Sequence, residues 1–164
     1  MAELTNLEAK LGEVLGLAMA AQGATQKVQK LDEITPVLTE RLEQMRAEAK
    51  ETEERATEVA GSFDGKKTAI LEEAREVKQK ATEMMSDYLD QASDALDGFE
   101  FLTMAEAGEV GHWEILKTLN ERARNSALED LCDWAIPIQQ RHFEEARKGS
   151  LVLAAAEDPN EPSE

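Results

Sequence analysis

The sequence predicts an all-α fold: two antiparallel helical hairpins separated by a further helical stretch. Three observations predict it. Ala, Leu, Glu, Lys and Gln dominate, aromatics are only 4% and charged residues 32%, a helical rather than a sheet composition. Apolar residues recur at alternating steps of three and four, the helical period. Pro and Gly are few before the tail, and Pro36 and Gly61 stand where periodic runs start or stop.

Five helical segments follow in order. The first spans about Glu3 to Leu31, with a seam of Leu7, Leu11, Val14, Ala18, Ala21, Thr25 and Val28. Gly12 and Gly16 on it mark close helix contact. "LDEITP" ends it, and Thr35 with Pro36 reads as an N-cap followed by the favoured first-turn proline. The second runs to about Ala60 on Leu38, Leu42, Met45, Ala49, Thr52, Ala56 and Val59, with Gly61 as a capping glycine. The third, Lys66 to Leu96, has a thinner apolar face and should be partly exposed. "LDG" at Leu96 to Gly98 marks the next break. The fourth spans Phe99 to about Arg124. Asn125 or Ser126 then caps the fifth, Ser126 with Glu129 fitting a capping box, and that segment runs from Ala127 to about Ala155. Pro137 inside it predicts a kink. Residues 1–155 thus form one helical domain, and 156–164 an acidic, Pro-containing tail expected to be disordered.

Charge narrows the partners. Asp and Glu number 35 against 18 Lys and Arg, a net charge of -17. Such a field repels phosphate backbones and anionic lipid, so neither nucleic acid nor membrane is expected. No run approaches the about 18 apolar residues of a membrane span. One cysteine, Cys132, excludes an intrachain disulfide and a Cys-rich zinc site. The expectation is a soluble cytoplasmic protein, and heptad seams on nearly every segment predict a homo-oligomer.

The chemistry concentrates in "TMAEAGEVGHWEIL", Thr103 to Leu116. Gly108 and Gly111 each cost a helix roughly 1 kcal/mol against Ala. They let a backbone approach or leave room for a bound group. The seam of the fourth segment can be written through Glu109 and His112, or one face over through Glu106. The fifth has a clear seam through Leu128, Leu131, Ala135, Ile138 and His142, with Gln139 one turn before the histidine. Folding the hairpin about Asn125 brings Glu109, His112, Gln139 and His142 within about 8 Å of axial length. Both histidines are then expected to face each other in the interior. Glu13 edges the first seam, and Glu48 and Glu51 flank the second. Inward carboxylates and Glu-x-x-His steps on facing helices are how bundles hold metals, and carboxylate with imidazole suits iron or manganese. The bland alternative is a pair of core histidines satisfied by Glu, with Glu51 tied to Arg55 on a solvated face. A haem or organic ligand in the glycine-lined space is a third option.

With those residues in hand, "EAKETEERATEVA", "GKKTAILEEAREV" and "AGEVGHWEILKTL" together resemble the stress-associated Yci branch of the ferritin-like superfamily, over Leu38 to Ala146. The resemblance implies a ferritin-like antiparallel four-helix bundle with the third segment as connecting insert. It also implies a dinuclear iron or manganese site and a role in iron, oxygen or peroxide stress. The ligand candidates are then Glu13, Glu48, Glu51, Glu106, Glu109, His112, Gln139 and His142. The sequence departs from the family's pattern: Glu48 stands where the family has His, Gly111 where it has Glu, and Gln139 where the wider superfamily has Glu. The alternative is a metal-free bundle acting through self-association or a partner surface. No catalytic residue is assigned.

Overall fold

The structure, a computed structural model, describes residues 2–90 and 93–163; among them are five α-helices and no strand. They are α1 (Asn6–Gln29), α2 (Pro36–Gly61), α3 (Lys67–Tyr88), α4 (Ala95–Ala123) and α5 (Ser126–Ala155). None is long and apolar enough to cross a membrane.

Caps set the ends. Thr5 accepts from the Glu8 amide at 3.2 Å while Glu8 accepts from the Thr5 amide at 2.9 Å, a reciprocal box that starts α1 later than the expected Glu3. Thr35 caps α2 as the sequence predicts, with Pro36 opening the helix. The break before α4 falls earlier than "LDG". Asp94 and Asp97 exchange side-chain-to-amide bonds of 2.9 and 3.0 Å, so α4 begins at Ala95. Gly98 is therefore helical, lying so close to Val28 of α1 and to Leu31 just beyond it that an added Cβ would come within 3 Å of each.

The turn into α5 also differs from expectation. Asn125 is the cap, its side chain accepting from Leu128 N at 3.1 Å, and Ser126 is already the first helical residue. The proposed Ser126–Glu129 box is thereby lost. Buried Asn120 locks the turn from below: its amide donates to Asn125 O at 2.9 Å and its oxygen accepts from Asn125 N at 3.1 Å. α5 runs on through Pro137 to Ala155. Beyond it the tail is exposed and forms a turn in which Asp158 accepts from Asn160 N and Glu161 N.

Packing follows a closed ring: α1 on α2, α2 on α5, α5 on α4, and α4 back on α1. α3 lies against α1 and touches α2. The α1–α3 contact is close because Gly12 and Gly16 face it. A Cβ on Gly16 would lie 2.4 Å from Ala74 O. α3 buries little else than Ala69, Ile70, Ala74 and Met85, which matches its thin apolar face.

The apolar interior is in two parts. One joins Leu11, Val14 and Leu15 to Ala56, Ile70, Trp113, Leu116, Leu128 and Leu131. The other joins Ala24 and Val28 to Leu38, Leu42, Met45, Phe99, Leu102 and Ala146. Each ring helix crosses from one part to the other at mid-length.

Candidate functional site

The crossing level is polar. On α4, Glu106 and Glu109 lie between Leu102 of one apolar part and Trp113 of the other. On α5, Gln139 and His142 lie between Ala135 and Ala146. On α2, Glu48 and Thr52 lie between Met45 and Ala56. α1 contributes only Ala18 and Ala21. Glu106, Glu109, Gln139 and His142 are all buried, Glu106 to 2% exposure and His142 to 3%. A polar layer between two apolar ones must satisfy itself or bind something.

Satisfaction is partial. Gln139 donates its amide to Glu106 Oε2. His142 stands between two carboxylates: Nε2 lies 3.2 Å from Glu48 Oε1, and Nδ1 lies 3.9 Å from Glu106 Oε2, beyond hydrogen-bond reach. Arg141 donates to the other Glu48 oxygen, Oε2. Glu109 has neither a hydrogen bond nor an ion pair among the described residues.

Burial sets the proton affinities. It pushes Glu106 up to about 7, the Gln139 bond holding it back in part. It lifts Glu109 well above the usual carboxylate range, and the nearby Glu106 charge adds to the rise. It pushes His142 down, against the bond and charge of Glu48. Glu106 can thus exchange a proton near neutrality, and both carboxyls can serve as cation ligands.

Glu13 and His112 are in a different place. His112 Nδ1 is 3.2 Å from Glu13 Oε1 and 3.3 Å from Lys10 Nζ, and Lys10 also pairs with Glu13. This group is at the α1–α4 rim, with His112 one-third exposed. The expectation of two interior imidazoles facing each other is therefore corrected. His142 is interior and bonded towards α2; His112 is at the rim and bonded to α1. Glu106 and His112 are six residues apart, about 120° around a helix, so one points at α5 while the other points at α1. Glu51 is also corrected. It is half exposed and accepts from Arg55 at 2.9 Å, and that guanidinium stacks 4.2 Å over the Trp134 ring. It holds an α2–α5 surface contact and takes no part in the polar layer.

Sequence reasoning missed Lys10 and Arg141, the two cations that partner Glu13 and Glu48. Their spacing carried a faint signal: Lys10 is three residues before Glu13, and Arg141 adjoins His142. It also missed Glu33, Asp94 and Glu157, whose donor atoms come within 4.8 Å of one another near the helix ends. Among the described residues, none of the polar-layer carboxylates belongs to a three-donor group that tight. Glu33 and Glu157 are exposed, and acidic surface groups gather commonly.

Gly108 and Gly111 have nothing within 4 Å of an added Cβ, so no backbone approaches there. Gly108 instead lines a cavity of about 250 Å³ between α1, α3 and α4. Comparison with protein-family models, curated proteins and solved structures finds no match to this chain.

Proposed function

We propose that the polar layer binds a divalent transition-metal ion, iron or manganese, inside a ferritin-like antiparallel four-helix bundle with α3 as its connecting insert. The closed ring of α1, α2, α5 and α4 supports the bundle reading, as does the place of α3 between the two hairpins. The observation that carries the metal reading is the burial of Glu106 and Glu109 beside His142, with no Lys or Arg on either carboxylate among the described residues. A bound cation offsets the cost of those charges, which a neutral amide on Glu106 cannot do alone.

Glu48 and His142 Nε2 would hold the ion, with Glu106 facing the other ring nitrogen, Nδ1, and Glu106 and Glu109 adding negative charge beside it. Glu48 Oε1 and His142 Nε2, 3.2 Å apart, have the separation of two donors each about 2.1 Å from one ion. Gln139 orients Glu106, and Arg141 keeps the second Glu48 oxygen occupied. When bound, iron or manganese supplies redox chemistry toward dioxygen or peroxide, in keeping with a cytoplasmic stress role. Metal analysis of untagged protein, followed by Mn(II) titration, tests this. Near-stoichiometric uptake that is lost in Glu106→Gln is expected; less than about a tenth of an equivalent overturns the reading.

A second reading has its own observation. Lys10 beside Glu13 and His112, and Arg141 on Glu48, are cations already in place. They favour a metal-free bundle acting through its surface. Exposed Leu151 and Val152 near the end of α5 give that surface apolar area for self-association. In this reading His142→Gln leaves the mass in solution unchanged and no metal is taken up.

A further inference from the structure

The cavity between α1, α3 and α4 has an uncommon lining. Its walls are apolar: Leu17 and Ala21 from α1, Met85 from α3, Phe101 and Leu102 from α4. Its acidic groups are Glu106 and Glu109. Met84 and Met104, which also line it, are 62% and 49% exposed, so it opens to solvent between α3 and α4. Small side chains create the space. Leu, in place of Ala21 or Gly108, would fill it, and Gly108 spends helix stability to leave it open.

Glu109 makes the cavity more than a packing defect. It is 94% buried by its 6% exposure, lines the cavity, and has no hydrogen-bond or ion-pair partner among the described residues. Glu106 is already bonded to Gln139. A carboxyl left unpartnered against an apolar wall is satisfied by a ligand that brings a donor and a positive charge together with an apolar body. We propose that this cavity binds a small organic ammonium, an alkylamine or arylalkylamine, with its nitrogen on Glu109 and its hydrocarbon against Leu17, Ala21 and Phe101. The volume, below the roughly 300–1,000 Å³ of drug-sized sites, limits the body to one ring or a short chain. The methionines at the mouth are flexible and polarizable, suited to ligands of varied shape. The net charge of -17 concentrates cations at the mouth.

This inference does not rest on the metal reading, and the test separates them. Hexylammonium and hexanol share the same chain and differ in the head group. Each is titrated into the full chain after EDTA treatment, by calorimetry and by amide chemical shifts of α1, α3 and α4. Hexylammonium is expected to bind at least about tenfold more tightly than hexanol, and that ratio should collapse to about one in Glu109→Gln. Ala81→Leu, which narrows the cavity from α3 without touching the acids, should weaken both compounds. Equal affinity for the two, no binding of either, or an unchanged ratio in Glu109→Gln overturns the proposal. Circular dichroism confirms that each variant is folded. Mn(II) titration of Ala81→Leu, in which the polar layer is intact, reads the metal reading alone. Loss of ammonium binding with retained Mn(II) uptake, or the reverse, assigns each failure to its own proposal.

Discussion

Gln139 on α5 donates its amide to Glu106 on α4, while Glu109, one turn further along the same helix, has no such partner among the described residues. Two buried carboxyls on one helix therefore differ in their supply of hydrogen bonds but share one electrostatic problem.

That problem gives a pH-dependent prediction. Glu106 has its proton affinity raised to about 7 in the folded chain and has an ordinary value near 4.5 when unfolded. Between those pH values the folded state holds a proton that the unfolded state has lost, so this group destabilises the fold progressively as pH rises to about 7. Above that both states are ionised and the penalty is constant. Glu106→Gln keeps a partner for Gln139 and removes the charge. It should be more stable than the parent by about 3 kcal/mol at pH 8, with the advantage gone by pH 4.5. Urea melts of both proteins across that range check it; a pH-independent difference would show that Glu106 is not held in its acid form by burial. Taking the difference between the two proteins cancels the opposite slope from His142, whose lowered value costs stability as pH falls below the ordinary histidine range.

The two histidines should behave differently. His142 is interior and shared between Glu48 and Glu106, so His142→Ala leaves a cavity and unpartnered acids and should cost about 2–4 kcal/mol. His112 is at the rim with Lys10 and Glu13, a partly exposed group in which each ion pair contributes little, so His112→Ala should cost less than about 1 kcal/mol. Metal uptake should follow the same division, lost with His142 and kept with His112. Equal effects on uptake would restore a site that spans both groups.

Much of this was legible beforehand, and the misses have one physical source. The helical class, the Thr35–Pro36 start and the close face at Gly12 and Gly16 follow from spacing and caps; the hairpin register placed Glu109 and His112 at the level of Gln139 and His142, whereas Gln139 bonds to Glu106, one turn earlier than Glu109. Spacing gives position along an axis well, because rise per residue is constant. It gives direction around the axis poorly when apolar stripes are wide, as on α4, where Glu106, Glu109 and His112 all looked inward. The structure turns His112 to α1 and Glu51 to Arg55. The early start after Asp94 was hidden because "LDG" carries a turn signal, while the reciprocal Asp94–Asp97 cap is a weaker pattern. Lys10 and Arg141 were invisible as partners, since which cation answers which acid depends on azimuth again.

The α4–α5 turn makes a local prediction. Asn120 is 6% exposed and makes two bonds to the Asn125 backbone. Each contributes about 1 kcal/mol, and truncation leaves the Asn125 amide without its partner. Asn120→Ala should therefore cost about 2 kcal/mol, while Asn125→Ala, which loses the single cap bond to Leu128, should cost about 1 kcal/mol. Chemical denaturation ranks the two; the reverse order would mean that the cap, not the buried amide, holds the turn.

The last prediction concerns the helix that the seams treated as an insert. α3 buries few large side chains, so its hold on α1 depends on how near the two backbones come. That nearness is possible only because position 16 lacks a side chain: a Cβ there would sit 2.4 Å from Ala74 O and 2.9 Å from Val77 Cβ. A backbone oxygen cannot move aside as a flexible side chain can, so the helices must separate. Ala ordinarily favours a helix by about 1 kcal/mol over Gly, which makes the sign of the change decisive. Gly16→Ala should destabilise the protein by about 1–3 kcal/mol through overpacking, despite its helix propensity. Gly23→Ala, on the same helix with nothing within 4 Å, should stabilise by up to about 1 kcal/mol. Thermal melts of the pair separate backbone approach from propensity. If both variants gain stability, α3 is not held where these contacts put it, and hydrogen exchange along Lys67–Tyr88 would then show protection no greater than that of an isolated helix.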